Sequence, residues 1–129
     1  MGLYNFQQRF VPFILAGAKT HTIRATRVHP DAPGKILHLY TGLRHKGARL
    51  LMRVPCVKVE RIEIHAVDHP THAGVVKVFT VEIEGQFLDT PEKELLARRD
   101  GFQNFAEMMQ FWDGRLPFTG QVIHWKAAA

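Results

Sequence analysis

The chain has 129 residues, of which 46% are hydrophobic and 22% are charged. This length suits a single domain over residues 1–129 and leaves no room for a second independent core. The apolar runs are too short to span a bilayer, and no secretory signal is recognisable at the start of the chain. Because the single cysteine, Cys56, cannot form an internal disulfide, these features favour a domain in the reducing cytoplasm, with no membrane partner.

The charge is positive and unevenly distributed. Seventeen Lys and Arg residues against twelve Asp and Glu residues give a net charge of +5. The basic residues gather within 19–27, 44–49 and 53–61, whereas the acidic residues concentrate in 82–113. A one-sided positive surface is therefore expected, and it favours anionic partners such as nucleotides or RNA.

The start of the chain predicts a strand, a helix and a second strand. A strand near Leu3–Phe6 precedes a helix at about Gln8–Ala16, in which Pro12 is acceptable only if it lies in the first turn. Gly17 is the expected end of that helix, because glycine readily adopts the left-handed conformation that follows many helices. Residues 20–24, with the sequence THTIR, suit a strand by their Thr and Ile content.

The middle of the chain predicts a hairpin. The Pro, Asp and Gly residues of 29–34 indicate a loop. The segment 35–42 is then expected to pair with 48–64 as two antiparallel strands, joined by a polar turn. Pro55 predicts a bend or a bulge within the second strand.

The remaining elements complete a mixed α and β pattern. Residues 75–85 alternate as a strand, a helix is expected from Thr90 to Gly101, and a second helix covers about Asn104–Trp112. The apolar face of this second helix is expected to pack in the core rather than to stack on a base. A last strand is predicted over 121–125. Because the strands are numerous and the helices are grouped, the order predicts an α+β domain around a small mixed sheet or barrel.

The densest group of polar side chains lies in residues 19–24. Composition alone favours a solvated edge strand there, in which Lys and Thr are common. A lysine whose pKa is lowered could instead activate a threonine hydroxyl as a nucleophile. Strand alternation would separate Lys19 from Thr22, so the two converge only if Lys19 lies in the turn before the strand, which Gly17 permits.

Two other features carry potential chemistry. Asp100 lies at the end of a predicted helix, where a carboxylate gains nothing from the helix dipole. The histidines of HAVDHPTH, namely His65, His69 and His72, have a spacing that suggests metal ligands. Pro70 and the lack of apolar periodicity predict a loop there, so we do not expect a metal site. Cys56 is expected to be a buried structural thiol.

Several segments together resemble the ASCH family. These are RF…ILAGAKTHTIR, PGKILHLYTG, RRDGF…FAEM and the closing QVIHW, and they cover nearly the whole chain. The family likeness implies a small β-barrel related to the PUA RNA-binding fold, with helices packed outside it. Within the family, the first block is most similar to that of the small bacterial N4-acetylcytidine amidohydrolases.

The resemblance implies a set of site residues. Lys19 and Thr22 match the catalytic lysine and threonine of those enzymes, and their catalytic glutamate falls on Asp100 here. Arg24 would hold the developing oxyanion or a polar edge of the substrate. The implied substrate is a modified cytidine nucleoside, and no metal or other cofactor is required. The remaining substrate-binding candidates are the aromatic and basic residues Tyr4, Phe6 and Arg9.

Three alternatives stay open at the level of sequence. The first is a PUA-like RNA-binding module, in which Lys19 and Arg24 contact phosphate or base. The second is a ribonuclease that would use two of the histidines 21, 29, 38 and 45. The third is a small regulatory or interaction domain with a solvated Lys/Thr edge.

Overall fold

The computed structural model describes residues 2–127, so the two ends of the predicted 1–129 domain lie outside the described residues. The described chain forms seven strands, three α-helices and a short 3-10 turn at Gln8–Phe10. The strands are β1 (Gly2–Phe6), β2 (His21–Arg24), β3 (Ile36–Thr41), β4 (Arg49–Thr71), β5 (Gly74–Ile83), β6 (Gln86–Phe87) and β7 (Phe118–Trp125). The helices are α1 (Val11–Leu15), α2 (Thr90–Arg99) and α3 (Phe105–Trp112). The α+β class is thereby confirmed.

The strands form one mixed sheet organised around the long strand β4. Strand β1 runs parallel to β3, and β3 is antiparallel to β4 from Ile36↔Pro55 to Thr41↔Arg49. Further along, β4 pairs antiparallel with both β7 and β5, and β7 pairs in turn with β2. The predicted hairpin is therefore confirmed as β3 and the first part of β4. The register shift between Cys56 and Lys58 confirms a bulge next to Pro55.

The sheet is open between β1 and β2. In the part of the chain that the structure describes, these two strands share no backbone pairing. Side chains bridge the opening instead: Arg24 Nη2 donates to the Asn5 carbonyl at 2.7 Å, and Arg27 Nη2 donates to the Leu3 carbonyl. The mixed sheet is confirmed, but a closed barrel is not.

Local signals in the sequence account for the helix boundaries. The helix predicted at about Gln8–Ala16 starts later than expected, because Gln8–Phe10 form a 3-10 turn and α1 begins at Val11. Pro12 therefore lies in the first turn of α1, where its missing N–H breaks no hydrogen bond. Asp89 caps α2 in a capping box with Glu92, which satisfies backbone N–H groups that have no partner inside the helix. Gly101 follows α2 with φ +99°, a conformation that glycine adopts without a Cβ clash.

The hydrophobic core lies between the sheet and the helices. Buried side chains of the strands pack against those of α1, α2 and α3 in one cluster. The most deeply buried side chains of this cluster include Tyr4, Ile14, Leu37, Leu39, Ile62, Ile64, Val81, Met108, Val122 and Ile123. Within the described residues, no helix is long and apolar enough to cross a membrane.

The prediction of a loop around the histidines was wrong. Strand β4 continues to Thr71 and pairs with β5 up to Thr71↔Gly74, so His65 and His69 lie in a two-stranded ribbon. The pairing of β4 with β7 ends at Ile64, so beyond that residue β4 is an edge strand on one side. Proline is tolerated in an edge strand, because its missing N–H removes no hydrogen bond to a neighbouring strand. Among residues 2–127, no three His, Cys, Asp or Glu side chains are grouped so that they could bind a metal ion.

Candidate functional site

Lys19 is directed inward by the turn that follows α1. Gly17 has φ +77°, and the backbone N–H groups of Ala18 and Lys19 both donate to the Phe13 carbonyl, at 2.9 and 3.0 Å. Lys19 therefore lies in the turn before β2 rather than within the strand. This placement is the one that allows Lys19 and Thr22 to face the same side despite strand alternation. The residue surface of Lys19 is only 3% exposed.

Asp100 meets Lys19 although the two are 81 residues apart in sequence. Lys19 Nζ donates to Asp100 Oδ1 at 2.6 Å and to the Asp100 backbone carbonyl at 2.7 Å. The close approach depends on Gly101, because a Cβ built there would lie 2.7 Å from Phe10 Cδ1. At the end of α2, Asp100 thus accepts hydrogen bonds from Lys19 through both its carboxylate and its backbone carbonyl oxygen.

Burial and charge act on this pair in opposite directions. Burial lowers the pKa of Lys19, although the Asp100 carboxylate partly offsets that effect. Burial raises the pKa of Asp100, but the Lys19 ammonium and the His21 ring outweigh it, so the net pKa of Asp100 lies below its usual value. Asp100 consequently stays ionised at neutral pH, and Lys19 releases its proton more easily than an exposed lysine does.

Thr22 and Arg24 form a second pair beside the first. Arg24 Nε donates to Thr22 Oγ1 at 2.9 Å, and the threonine is only 4% exposed. Burial, and then the charge of Arg27, lower the pKa of Arg24. Thr22 Oγ1 accepts this hydrogen bond from a cation, so its own proton can be given to another group.

These side chains line one cleft with a volume of about 530 Å³. This volume lies in the range of small-molecule sites. Polar groups from both pairs share the cleft with an apolar wall, which is made by Phe6, Phe10, Ile23, Phe102, Phe111, Trp112 and Phe118. A flat, partly polar ligand such as a nucleobase fits that combination, since rings can stack while ring substituents meet the polar groups.

The predicted site residues are only partly brought together. Lys19, Thr22, Arg24, Asp100 and Phe6 line the cleft. Tyr4 does not, because its ring lies in the core and its hydroxyl donates to Asp31. Burial, followed by the Asp31 hydrogen bond, raises the pKa of this hydroxyl.

Arg9 also lies away from the cleft wall. Its guanidinium stacks on the rings of Phe10 and Phe102, at 4.7 and 4.9 Å from the ring centroids. Arg9 Nη2 donates to Glu107 Oε1 at 3.1 Å, in an ion pair that is partly exposed to solvent. The structure therefore gives Arg9 a packing role behind two rings of the wall.

His21, which the sequence offers only as a candidate for the ribonuclease alternative, lies next to Asp100. It is 3% exposed, and its Nε2 lies 3.2 Å from Asp100 Oδ1, although it makes no hydrogen bond of good geometry there. Its ring also contacts that of His124 edge to face at 5.5 Å between centroids, and His124 Nε2 lies 2.7 Å from Glu60 Oε1. Strand alternation places His21 opposite Thr22, and no sequence spacing indicates its neighbour Asp100.

Helix α3 contributes to the core and also to the cleft wall, a second role that the sequence does not predict. The sequence predicts the apolar face of this helix as core, and Met108 and Met109 are indeed buried there. Phe111 and Trp112, however, line the cleft. The indole Nε1 of Trp112 and His21 Nε2 are the two buried side-chain polar atoms without a hydrogen-bond partner among residues 2–127. Such atoms are uncommon in folded proteins.

The chain was compared with protein-family models, with curated proteins and with solved structures, and nothing matches.

Proposed function

We propose that the protein is an amidohydrolase that cleaves the exocyclic amide of N4-acetylcytidine, or of a related N4-acylated cytosine nucleoside, to cytidine and carboxylate. The observation that carries the proposal is the buried Lys19–Asp100 pair, with a Lys19 Nζ–Asp100 Oδ1 distance of 2.6 Å, on the same cleft as Thr22. A buried lysine with a lowered pKa is suited to acid–base work at neutral pH.

The reaction requires attack on an amide carbonyl and protonation of the departing amine. In one route, the Thr22 hydroxyl gives its proton to neutral Lys19 while its oxygen bonds to the acyl carbon. Lys19 then donates that proton to N4 of cytosine as the C–N bond breaks, which leaves an acyl ester on Thr22. Water then attacks the ester carbonyl while Lys19 accepts a proton from it. Lys19 returns this proton to Thr22 Oγ1 as the ester C–O bond breaks, and the acid leaves as carboxylate after its proton passes to solvent.

A second route uses water directly. Lys19 and Asp100 would activate a water molecule that attacks the acyl carbon, and Lys19 would again protonate the leaving nitrogen. Thr22 then binds the substrate rather than forming an ester. In both routes Asp100 positions Lys19, and Arg24, which is hydrogen-bonded to Thr22, provides positive charge for the oxyanion that develops.

The proposal includes two further expectations from the sequence, an ASCH-type barrel and a cytoplasmic location. A small ASCH-type barrel would require β1 and β2 to be counted as neighbours across their side-chain bridges. The single cysteine, Cys56, is buried, which is compatible with the reducing cytoplasm expected from the sequence.

RNA binding is the second candidate function. It is supported by the two arginines of the cleft, Arg24 and Arg115, which are suited to phosphate contacts. An RNA-binding module would bind without turnover, and its affinity would fall steeply as the salt concentration rises. Hydrolysis of a neutral nucleoside would depend little on salt.

The test is a hydrolysis assay with purified protein and N4-acetylcytidine, following cytidine and acetate by chromatography. We expect the wild type to release both products in equal amounts. Lys19→Met should abolish release, whereas Lys46→Met, which changes an exposed lysine, should not alter it. Inactive wild type, or full activity in Lys19→Met, would reject the proposal.

A further inference from the structure

The charges of the cleft do not balance. Three cationic side chains line it, namely Lys19, Arg24 and Arg115, against the single carboxylate of Asp100. That carboxylate is already paired with Lys19 at 2.6 Å. Within residues 2–127, neither arginine has a carboxylate oxygen within 4.0 Å. The cleft therefore presents positive charge that the described chain does not neutralise.

Arg24 is partly committed to the fold but keeps donors for a ligand. Of its five N–H groups, one bonds Thr22 and one bonds the Asn5 carbonyl. Its guanidinium also lies over the Phe6 ring, 5.0 Å from the centroid. Arg27, which lies 4.0 Å from the Tyr4 ring centroid, adds a second positive charge close enough to lower the pKa of Arg24. Two partly buried cations this close repel each other, so the positive charge at this end of the cleft is held at an energetic cost.

Arg115 is placed differently, at the rim of the cleft. It follows α3 in a turn, where its backbone N–H donates to the Trp112 carbonyl at 2.9 Å. The side chain is exposed and lies over the face of Phe111, 4.5 Å from its ring centroid. Unlike those of Arg24 and Arg27, its guanidinium donates no hydrogen bond to the described part of the chain. Within that part, Arg115 therefore does not bridge the opening of the sheet as Arg24 and Arg27 do, and its side chain is free to bind a ligand.

We propose that the substrate of this site carries a phosphate, so that the acylated cytosine enters the cleft as part of a nucleotide or of an RNA strand. The base would lie against the aromatic wall near Lys19, and the phosphate would reach the rim and pair with Arg115. Arginine suits this role because its planar fork of donors matches phosphate oxygens. The inference rests on the proposed function and adds the charge of the substrate to it.

The test compares three substrates in one assay: N4-acetylcytidine, its 5′-monophosphate, and a short RNA that contains one N4-acetylcytidine. For wild type, kcat/KM should be higher for a phosphorylated substrate than for the nucleoside by roughly tenfold or more, the scale of one charge-assisted hydrogen bond. A gain with the monophosphate identifies a free nucleotide, and a gain only with the oligomer identifies an RNA strand. Added salt should reduce either gain.

Two variants make the test specific. Arg115→Gln should bring the ratio of phosphorylated to nucleoside kcat/KM close to one, whereas Arg44→Gln, a change at an exposed arginine that does not line the cleft, should keep the wild-type ratio. Equal hydrolysis of all three substrates by wild type, or a ratio unchanged in Arg115→Gln, would overturn the inference while leaving the amidohydrolase proposal intact. Inactivity on all three would instead reject the amidohydrolase and the inference with it.

Discussion

The pairing of Lys19 with Asp100 predicts a large, non-additive effect on stability when the two residues are changed singly and together. Lys19→Met leaves an ionised carboxylate whose nearest remaining partner is His21 Nε2 at 3.2 Å. Asp100→Asn leaves the buried Lys19 amine without the negative charge that raises its pKa. The double variant contains neither charge, so it avoids both penalties.

The burial of the pair sets the size of the effect. The two side chains are only 4% and 10% exposed, so water screens their interaction poorly. Removing one member of such a pair costs about 3–5 kcal/mol, and residues in direct contact show coupling energies of roughly 0.5–3 kcal/mol. We expect the double variant to be more stable than the sum of the single changes predicts by about 2 kcal/mol or more.

Urea unfolding at pH 7, followed by tryptophan fluorescence, measures this coupling. Arg61 and Glu63 provide the matched control, since their ion pair at 3.6 Å is more exposed, at 63% and 28% of the side chains. Arg61→Met with Glu63→Gln should show a coupling of less than about 1 kcal/mol. If the Lys19–Asp100 coupling is no larger than that of the control pair, the reasoning about the buried pair is refuted.

The remaining predictions concern the neighbours of that pair. Thr22→Ala should lower kcat by at least about a hundredfold with little change in melting temperature, and Thr22→Ser should retain more activity if the hydroxyl is the nucleophile. Because the pKa of Asp100 lies below its usual 3.8, the stability difference between wild type and Asp100→Asn should be full above pH 4 and shrink as pH falls further. Gly101→Ala should lower the unfolding free energy by about 1–3 kcal/mol, since φ is +99° and the new Cβ would clash with Phe10; an unchanged urea midpoint would contradict this. Cys56 should react with a maleimide only after unfolding, since burial raises the pKa of its thiol and encloses it; rapid labelling of the native protein would contradict this.

Short-range signals in the sequence predicted the elements well. Gly17 and Gly101 mark the ends of helices because both have positive φ, and Pro12 marks a helix start. The inward turn of Lys19 followed from the same reasoning, since glycine at position 17 frees the next residues from strand alternation. Such features depend on a few neighbouring residues, so they can be predicted from one sequence.

Features that depend on distant residues were predicted less well. The sequence predicts a loop around His69, because it does not show that β5 lies alongside this segment and pairs with it. His21 was not linked to Asp100 for the same reason. Tyr4 was expected near the substrate, but the side of β1 that faces the core is set by the packing of the whole sheet.

The most direct test of the central claim is whether Lys19 carries amide hydrolysis in the cleft. Purified wild type, Lys19→Met and Lys46→Met are incubated with N4-acetylcytidine, and cytidine release is measured together with the melting temperature of each protein. We expect turnover by wild type and Lys46→Met, and none by Lys19→Met at a temperature where that variant is still folded. Equal turnover by folded Lys19→Met, or none by wild type, would contradict this expectation.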